Sequence, residues 1–505
     1  MDYSLFIWST AIFIEARIKS DIEYDDLEKA TGFSYRHIRE TFKEYVGVSL
    51  SKYILERRLA NAAFDIIHTG KKLTDIAYEY KFNSYDAFTR AFKRHTKVYP
   101  SEFRKKSYKV GRRRILMGIY APVIYKNEDM TFSHLSIQEG INMERKMNKS
   151  EDSCILYGVP KVAYTFEECT PFPVALKSCL NYMGQKMDYA YIMAVSGAAF
   201  RLRWNKNCWD CGNVDIMNIY EEPNEVFKRS FEGVGKDYTV LERKNSSKQD
   251  FINFIKKEID EGRPVIALGI IGPPEACLVT GYREDGNTLL GWNCFQENKE
   301  FSKGVTIDDS GYYICSSWWE NESTIALIAV GENQHSMISQ KSIIKNAISV
   351  MTKESISIKS QDGKYERVYA GGQLAYDEWA KQITNDNEFT NNTIIPILIE
   401  RLMCQNDAQA MVGEGRSYAA CFIEWVGSTN ENISVICNEA AKQFRAAAQC
   451  SFKMNEVKGG FCQNEEALRK FLEPEVRKEI ASLVIEAKEY DYKACELLKQ
   501  IYSEL

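Results

Sequence analysis

The segment KLTDIAYEYKFNSYDAFTRAFKRHTKVYPSEFRK, residues 72–105, contains two short stretches of helical periodicity separated by a break at 81–83. In the first stretch, apolar or small residues recur at i, i+3, i+4 and i+7, the pattern of one buried helix face: Leu73, Ile76, Ala77 and Tyr80. In the second stretch, Phe88 and Phe92 repeat at helical spacing. Two short helices joined by a tight turn predict a helix-turn-helix, whose second helix lies in the major groove of DNA.

The face of the second helix opposite these phenylalanines is polar, and we predict that it contacts DNA through Tyr85, Asp86, Thr89, Arg90, Lys93 and Arg94. An arginine such as Arg90 can donate two hydrogen bonds to guanine, worth about 1–3 kcal/mol of discrimination between bases. The methyl group of Thr89 suits a thymine methyl. Lys93 and Arg94 are expected to bind phosphate, which provides affinity and salt dependence without sequence preference.

A second unit of the same kind is predicted upstream, between residues 24 and 58. Gly32 supplies the positive φ that its turn needs, and Ser34 caps a helix whose Ile38 and Phe42 face inward. The outward positions, which we predict to contact DNA, are Arg36, Arg39 and Glu40. The stretch that follows, residues 49–70, predicts one long connecting helix that stops at Gly70.

The pattern I-A-x-x-x-x-F-x-S-x-x-x-F-x-R-x-F-K at 76–93, followed by P-S-x-F-R at 100–104, resembles the AraC/XylS family of transcription regulators. The resemblance covers the first 110 residues or so, and it is close to the family's multidrug-response activators. It implies an all-α domain with two helix-turn-helix units that read two successive major grooves of double-stranded DNA. The family usually has glycine where this chain has Lys81 and Lys97, so the geometry of the turn at Lys81 stays open.

Charge is distributed unevenly along the 505 residues. Residues 1–114 carry 23 Lys and Arg against 15 Asp and Glu, a net charge of +8, whereas the remainder has a net charge of −13. Only the front of the chain is therefore expected to meet a polyanion. No run of about 18 apolar residues and no secretory leader is present, so no membrane contact is expected. All 14 cysteines follow residue 153 at irregular spacing, which is typical of reduced thiols in the cytoplasm.

Residues 151–335 contain one helical stretch followed by short β-rich runs such as VIALGII (265–271) and ACLVTGY (276–282). This order resembles the papain-like cysteine-peptidase fold, in the variant of bacteriocin-processing peptidases and of the butirosin-type aminoglycoside acyltransferase. That resemblance places Cys169 at the nucleophile position, Glu275 where the fold has its histidine, and Asn293 at the orienting position. The segments at 195–204 and 212–217 also resemble bacterial regulators that join an AraC domain to this module.

The catalytic pair of that fold is incomplete, because no histidine lies between residues 151 and 334. A carboxylate such as Glu275 beside Cys169 would raise the pKa of the thiol rather than lower it. We therefore expect no enzymatic activity. Two alternatives stay open. In the first, the region after residue 150 retains Cys-dependent acyl transfer or hydrolysis, and His134 or His335, which lie outside residues 151–334, supplies the base. In the second, this region binds a protein partner such as RNA polymerase.

The main hypothesis is that the cleft binds a small-molecule effector, cationic or aminoglycoside-like, with Glu275 as its counter-ion. The expected ligand-binding residues are those of the former catalytic cleft and nearby aromatics that can make cation–π contacts: Glu275, Cys169, Asn293, Trp292, Trp204 and Tyr282. A purely structural ion pair of Glu275 with Arg201 or Arg203 is an equal alternative. A single CxxC pair at 208–211 is too little for a metal site, and no cofactor is expected.

Residues 336–505 show helical spacing of apolar residues throughout. The sequence thus predicts a multidomain chain with an all-α double helix-turn-helix domain at 1–110 and a linker at 111–150. An α+β papain-like sensor domain at 151–335 and an α-helical C-terminal region at 336–505 are expected to follow.

Overall fold

The computed structural model describes most of the chain. The described residues are 10, 14, 17–31, 33–46, 49–68, 71–96, 98–105, 109–115, 119–125, 132–134, 145–162, 168–222, 224–298, 301–334, 338–359, 366–390, 395–459 and 465–505. Gly32, Gly70, Lys97 and His335, which the sequence analysis used, lie outside them.

The chain divides into two compact units that do not follow its linear order. The first unit comprises residues 1–137, 197–222 and 344–505, and the second comprises 138–196 and 223–343. Residues 197–222, which the sequence analysis placed within a domain at 151–335, therefore belong with the C-terminal helices. The reason is a strand in this segment that pairs with a strand from the C-terminal part.

The helix-turn-helix region consists of six described helices, whose bounds are α1 (Tyr24–Thr31), α2 (Tyr35–Val46), α3 (Leu50–His68), α4 (Leu73–Glu79), α5 (Tyr85–Thr96) and α6 (Pro100–Lys105). The predicted apolar periodicity is what packs them: Leu27, Ile38, Phe42, Ile76, Phe88 and Phe92 are all fully buried. Helix α3 is the long helix that the sequence predicted to connect the two helix-turn-helix units.

Within the stretch expected to be a linker, the structure places three antiparallel strands, β1 (Lys109–Ile115), β2 (Ile119–Tyr125) and β3 (Phe132–His134). Strand β1 pairs with β2 from Lys109 opposite Tyr125 to Ile115 opposite Ile119.

The second unit is built on a nine-stranded antiparallel sheet. Its strands are β4 (Lys146–Lys149), β5 (Cys154–Tyr157), β7 (Lys236–Glu242), β8 (Val265–Leu268), β9 (Ala276–Arg283), β10 (Thr288–Trp292), β11 (Thr306–Ile307), β12 (Tyr313–Cys315) and β13 (Ala326–Asn333). The main path runs β11-β12-β10-β9-β8-β13-β7, and β5 joins β4 to β9. Strand β8 is buried along its whole length, so it lies at the centre of the hydrophobic core.

Four helices accompany this sheet: α7 (Pro171–Tyr182), α8 (Tyr189–Val195), α9 (Glu225–Val234) and α10 (Lys248–Asp260). Helix α10 begins with a reciprocal capping box, in which Ser247 and Asp250 each bond the other's backbone N–H. Helix α9 ends at Gly235, which has φ +70° and closes the helix in the left-handed conformation.

The back of the first unit is largely helical. Its helices are α11 (Gln340–Thr352, which begins just before the unit boundary), α12 (Gly372–Ile383), α13 (Ile395–Thr429), α14 (Ser434–Lys458), α15 (Glu465–Leu472) and α16 (Pro474–Glu504). A three-stranded antiparallel sheet joins them, in the order β14 (Ser355–Lys359), β15 (Glu366–Gly371) and β6 (Arg203–Asn205). Trp204 of β6 is fully buried and stacks on Trp379 of α12 at 5.7 Å between ring centroids.

The chain is thus a helix-turn-helix domain followed by a mixed helix and sheet region and a helical C-terminal part. The finer papain-like assignment of the mixed region stays a prediction. Among the described helices, none combines the length and the apolar character that crossing a bilayer requires.

Candidate nucleic-acid interface

Helices α2 and α5 are the predicted recognition helices, and they begin in the same way. Ser34 accepts a hydrogen bond from the backbone N–H of His37 at 3.4 Å, and Ser84 accepts one from Ala87 at 3.1 Å. A serine that accepts from the third residue of a helix satisfies a donor that the helix itself leaves unpaired. The predicted cap at Ser34 therefore has an equivalent at the start of α5.

The turn between α4 and α5 keeps the backbone geometry of a glycine turn although Lys81 occupies it. Lys81 has φ +63°, and the N–H of Phe82 donates to the carbonyl of Ala77 at 3.0 Å. The Lys81 ammonium lies 2.9 Å from the Asp21 carboxylate. The question that the sequence left open at this turn is settled: the lysine adopts the left-handed conformation and adds an ion pair to it.

The outer face of α2 carries the three predicted residues. The Arg36 side chain is 86 % exposed and that of Glu40 is 65 % exposed, and Arg36 Nε donates to Glu40 Oε1 at 3.1 Å. Arg39 is exposed and lies 5.7 Å above the Tyr35 ring. Since an exposed ion pair of this kind is worth less than about 1 kcal/mol, Glu40 leaves Arg36 available to a base or a phosphate.

Tyr35 and Tyr24 form a stacked pair at the start of α2, with ring centroids 3.9 Å apart. Burial, reinforced by a hydrogen bond with Tyr24, raises the pKa of Tyr35 to about 12. The hydroxyl therefore remains protonated at neutral pH. The sequence analysis did not select these residues, because an aromatic at a helix start is usually part of the core.

The outer face of α5 is exposed at Asp86, Arg90, Lys93 and Arg94. Lys93 Nζ lies 3.9 Å above the ring of Tyr99, which is itself 46 % exposed. These side chains together form a basic surface that follows the helix.

Two other predicted residues of α5 are only half-exposed. Tyr85 packs at 6.4 Å from Phe88, and the Thr89 hydroxyl is buried without a hydrogen-bond partner among the described residues. Lys43 of α2 is an exposed cation that the sequence analysis omitted. Its position one turn after Arg39 was the signal that could have found it.

A buried carboxylate near the C-terminal end of α3 joins the segment before the first helix-turn-helix to the second helix-turn-helix. Asp65 accepts a hydrogen bond from the Tyr80 hydroxyl at 2.8 Å and lies 3.0 Å from the Lys19 ammonium. The Glu79 carboxylate lies 2.7 Å from the Lys19 ammonium and 2.7 Å from the Lys71 ammonium. Burial opposes the ionisation of Glu79, but the hydrogen bonds from Lys19 and Lys71 outweigh it and lower the pKa of that carboxyl.

These contacts join Lys19, which precedes the first helix-turn-helix, to helix α4 of the second helix-turn-helix. A charged group buried with two partners fixes geometry more strongly than surface pairs do. Helices α2 and α5 both pack against α3, so one framework carries the two exposed basic faces.

Residues 27–106 match the family described as "Helix-turn-helix domain". The HTH-type transcriptional regulator YbfP of Bacillus subtilis, itself uncharacterized, is 36% identical over 104 residues, which are 21% of this chain and 35% of that protein. The Transposon Tn10 TetD protein of Escherichia coli is 34% identical over 103 residues, which are 20% of this chain and 75% of that protein. The chain belongs to the AraC-type helix-turn-helix transcription regulators.

A solved structure of the same kind, a transcriptional regulator with an AraC-type DNA-binding domain from Chromobacterium violaceum, is 30% identical. The match covers 20% of this chain and 92% of the Chromobacterium violaceum chain, with a TM-score of 0.20. The regulator described here spans about a third of the length of YbfP, and the matches lie within its first 110 residues or so. The family match to residues 27–106 and the two relatives establish the DNA-binding domain.

Elsewhere in this AraC-type regulator, five of the six predicted ligand-binding residues lie in the second unit. Cys169 is half-exposed two residues before α7 begins, and the half-buried Glu275 directly precedes β9. Asn293 follows β10, which pairs antiparallel with β9, so Glu275 and Asn293 lie at the same end of the sheet. Asn293 is buried, and its Nδ2 donates to the carbonyl of Gly269 at 2.8 Å.

The predicted aromatic residues are engaged in the core. Trp292 Nε1 donates to the carbonyl of Val159 at 2.9 Å, and the Tyr282 hydroxyl donates to Asp260 at 2.8 Å. Trp204 is the sixth predicted residue and belongs to the first unit.

Arg203, one of the two suggested partners of Glu275, donates to the carbonyls of Leu202, Asn218 and Ile219. Its companion Arg201 donates to the carbonyls of Ala198 and Val214. Both arginines thus hold the backbone of residues 198–219.

Proposed function

We propose that this protein is a sequence-specific transcription regulator in which α2 and α5 enter successive major grooves of DNA and the region after residue 150 binds a small-molecule effector. The observation that carries the first half is the pair of exposed basic faces on α2 and α5, two helices that both pack against α3. Two recognition helices on one framework suit grooves about one helical turn, or 34 Å, apart.

The DNA contacts are tested by selecting a preferred duplex from a random pool and measuring affinity by fluorescence anisotropy. Arg36→Ala and Arg90→Ala should each weaken binding to the preferred duplex by about 5- to 150-fold while changing affinity for a scrambled duplex far less. Lys478→Ala removes an exposed cation from α16 and serves as the control. Equal losses on both duplexes would show that these arginines bind only phosphate.

The effector is proposed to be a cationic or aminoglycoside-like compound that pairs with Glu275. Support comes from the position of this half-buried carboxylate at the sheet end where Asn293 also lies. Thermal unfolding against a library of amines, aminoglycosides and neutral compounds tests the idea, because a ligand at a hundred times its Kd adds about 2.7 kcal/mol of stability. The stabilisation should be lost in Glu275→Gln and retained in Glu322→Gln, a nearby exposed control. Equal stabilisation of both variants would remove Glu275 from the site.

We also propose that Cys169 performs no catalysis. Support comes from the absence of histidine between residues 151 and 334, which leaves the thiol without its usual base. The regulator should therefore show no turnover of thioester or peptide substrates that Cys169→Ala abolishes. Measurable turnover that disappears in this variant would reverse the conclusion.

A further inference from the structure

A cavity of about 600 Å³ lies within the second unit, beside the loop that joins β8 to β9. Six of the twelve residues that line it are apolar: Ile270, Ile271, Pro273, Phe301, Val305 and Cys315. A volume between roughly 300 and 1,000 Å³ with apolar walls and a few polar groups is typical of sites for small molecules.

The loop that forms one wall is strained. Gly269, Ile270 and Gly272 have φ values of +107°, +67° and +74°, although a β-branched residue such as Ile270 strongly disfavours this region. The Ile270 N–H donates to Thr324 Oγ1 at 3.1 Å, and Asn321 Nδ2 donates to the Gly272 carbonyl at 2.9 Å. Strain of this kind persists only where the surroundings impose it, and it concentrates at ligand sites.

The adjoining wall, formed by residues 317–324, is also fixed in place. Arg243 donates to the carbonyl of Asn321 at 2.7 Å and to that of Trp319 at 2.8 Å, and its guanidinium lies 4.0 Å above the Trp319 ring. Both walls are therefore held by hydrogen bonds that a ligand need not form. A preformed cavity binds its ligand without an ordering cost.

The charged side chains at the rim favour a cation. Glu320 and Lys303 line the opening, and both are exposed and without an ion pair among the described residues. The two wall loops, 269–275 and 317–324, add Glu275 and Glu322 and contain no lysine or arginine. Among the described residues, these three carboxylates face two cations, Lys303 and Arg243, and the Arg243 guanidinium already donates to the carbonyls of Asn321 and Trp319.

We propose that this cavity binds a small amphiphilic cation, whose apolar body packs against Ile270, Phe301 and Val305 and whose ammonium pairs with Glu320. The inference rests on the proposed function, because such a compound would be the effector. It places the apolar part of the effector in the cavity and adds Glu320 to Glu275 as a source of negative charge.

Three probes of one shape test the charge preference: phenylbutylamine, phenylbutanol and phenylbutanoate, each titrated against the full chain by isothermal calorimetry. The amine should bind with a Kd about fivefold lower than the alcohol, since a rim ion pair contributes little more than that. Glu320→Gln should abolish the preference, and Glu322→Gln should retain it. Tighter binding of the acid than of the amine would overturn the proposal and identify Lys303 as the charged partner.

Val305→Trp tests the apolar part by filling the cavity, and saturable binding of all three probes should disappear. Ile307→Trp is the matched control, because Ile307 is 44% exposed and is not part of the lining. Unchanged binding in Val305→Trp would refute the location. Glu320 is exposed, so its glutamine variant remains informative if the tryptophan variant fails to fold.

DNA affinity measured in the same samples separates the two proposals. If the amine binds in this cavity but leaves DNA affinity unchanged at saturation, the cavity proposal stands and the effector proposal fails. If no probe binds while the selected duplex does, the cavity proposal fails and the DNA-binding function stands.

Discussion

Removing two cations from α5 should change how DNA binding depends on salt. Six exposed cations occupy the outer faces of the described recognition helices: Arg36, Arg39, Lys43, Arg90, Lys93 and Arg94. Each cation that neutralises a phosphate releases condensed counterions, so the logarithm of the binding constant falls with the logarithm of salt concentration.

The magnitude follows from the number of contacts. Arg36 and Arg90 are proposed to contact bases, so about four of these cations are left for phosphate; the slope is then about −3.6, and a rise from about 50 to about 200 mM salt weakens binding by roughly 150-fold. The double variant Lys93→Ala/Arg94→Ala removes two contacts and should make the slope shallower by about 1.8. Over the same rise in salt, the affinity loss of the variant should therefore be roughly 12-fold smaller than that of the wild type.

The assay is fluorescence anisotropy of a labelled duplex at several salt concentrations. The control is Lys442→Ala/Lys478→Ala, which removes the same charge from exposed positions on α14 and α16, far along the chain from α5. The wild type and the control should share one slope. If the α5 variant also shares it, Lys93 and Arg94 make no phosphate contact, and if the control shifts equally, the effect comes from net charge alone.

Three further predictions concern the helical part and the turn. Arg416 and Asp491 form a buried pair with Nη2–Oδ2 2.6 Å apart, so Arg416→Met should destabilise by about 3–5 kcal/mol in urea unfolding, and adding Asp491→Leu should recover part of that loss. Burial, only partly offset by Lys458, raises the pKa of Asp407 to about 7, so the folded state holds this proton more tightly than the unfolded chain. Stability should therefore fall as pH rises from about 4 to about 7, and Asp407→Asn should flatten that decline in urea midpoints measured across the range. Lys81→Gly should leave Tm within a few degrees of the wild type, because relief of the left-handed conformation offsets the lost pair with Asp21; a large drop would show that the pair dominates.

The DNA-binding region was predictable because its determinants are local. The spacing of Ile76, Phe88 and Phe92 is a property of two neighbouring helices, and Ser34 caps the helix that it directly precedes. Although lysine occupies the turn position, Lys81 adopts the left-handed conformation, and the hydrogen bond from Phe82 to Ala77 closes the turn.

The remaining features depend on residues that are distant in sequence. Asp65 lies in a predicted helix, but its bond to Tyr80 and its pair with Lys19 arise only when three elements meet. Trp204 was expected beside Glu275, yet its stacking partner Trp379 is contributed by α12. Nothing in the local pattern of GIIGPPE (269–275) reveals that Ile270 adopts a left-handed conformation.

The first unit combines segments that are far apart in sequence, and this has a consequence for how it folds during synthesis. Arg416 donates to the carbonyls of Ala199 and Arg201 at 3.1 and 2.8 Å, and it pairs with Asp491 near the end of the chain. A ribosome adds about 5–20 residues per second, so residues 197–222 wait on the order of ten seconds to a minute for these partners. Until Trp379 has been added, Trp204 also has no partner on which to stack. Nascent chains should therefore recruit chaperones at this segment, long after the DNA-binding helices have emerged and folded.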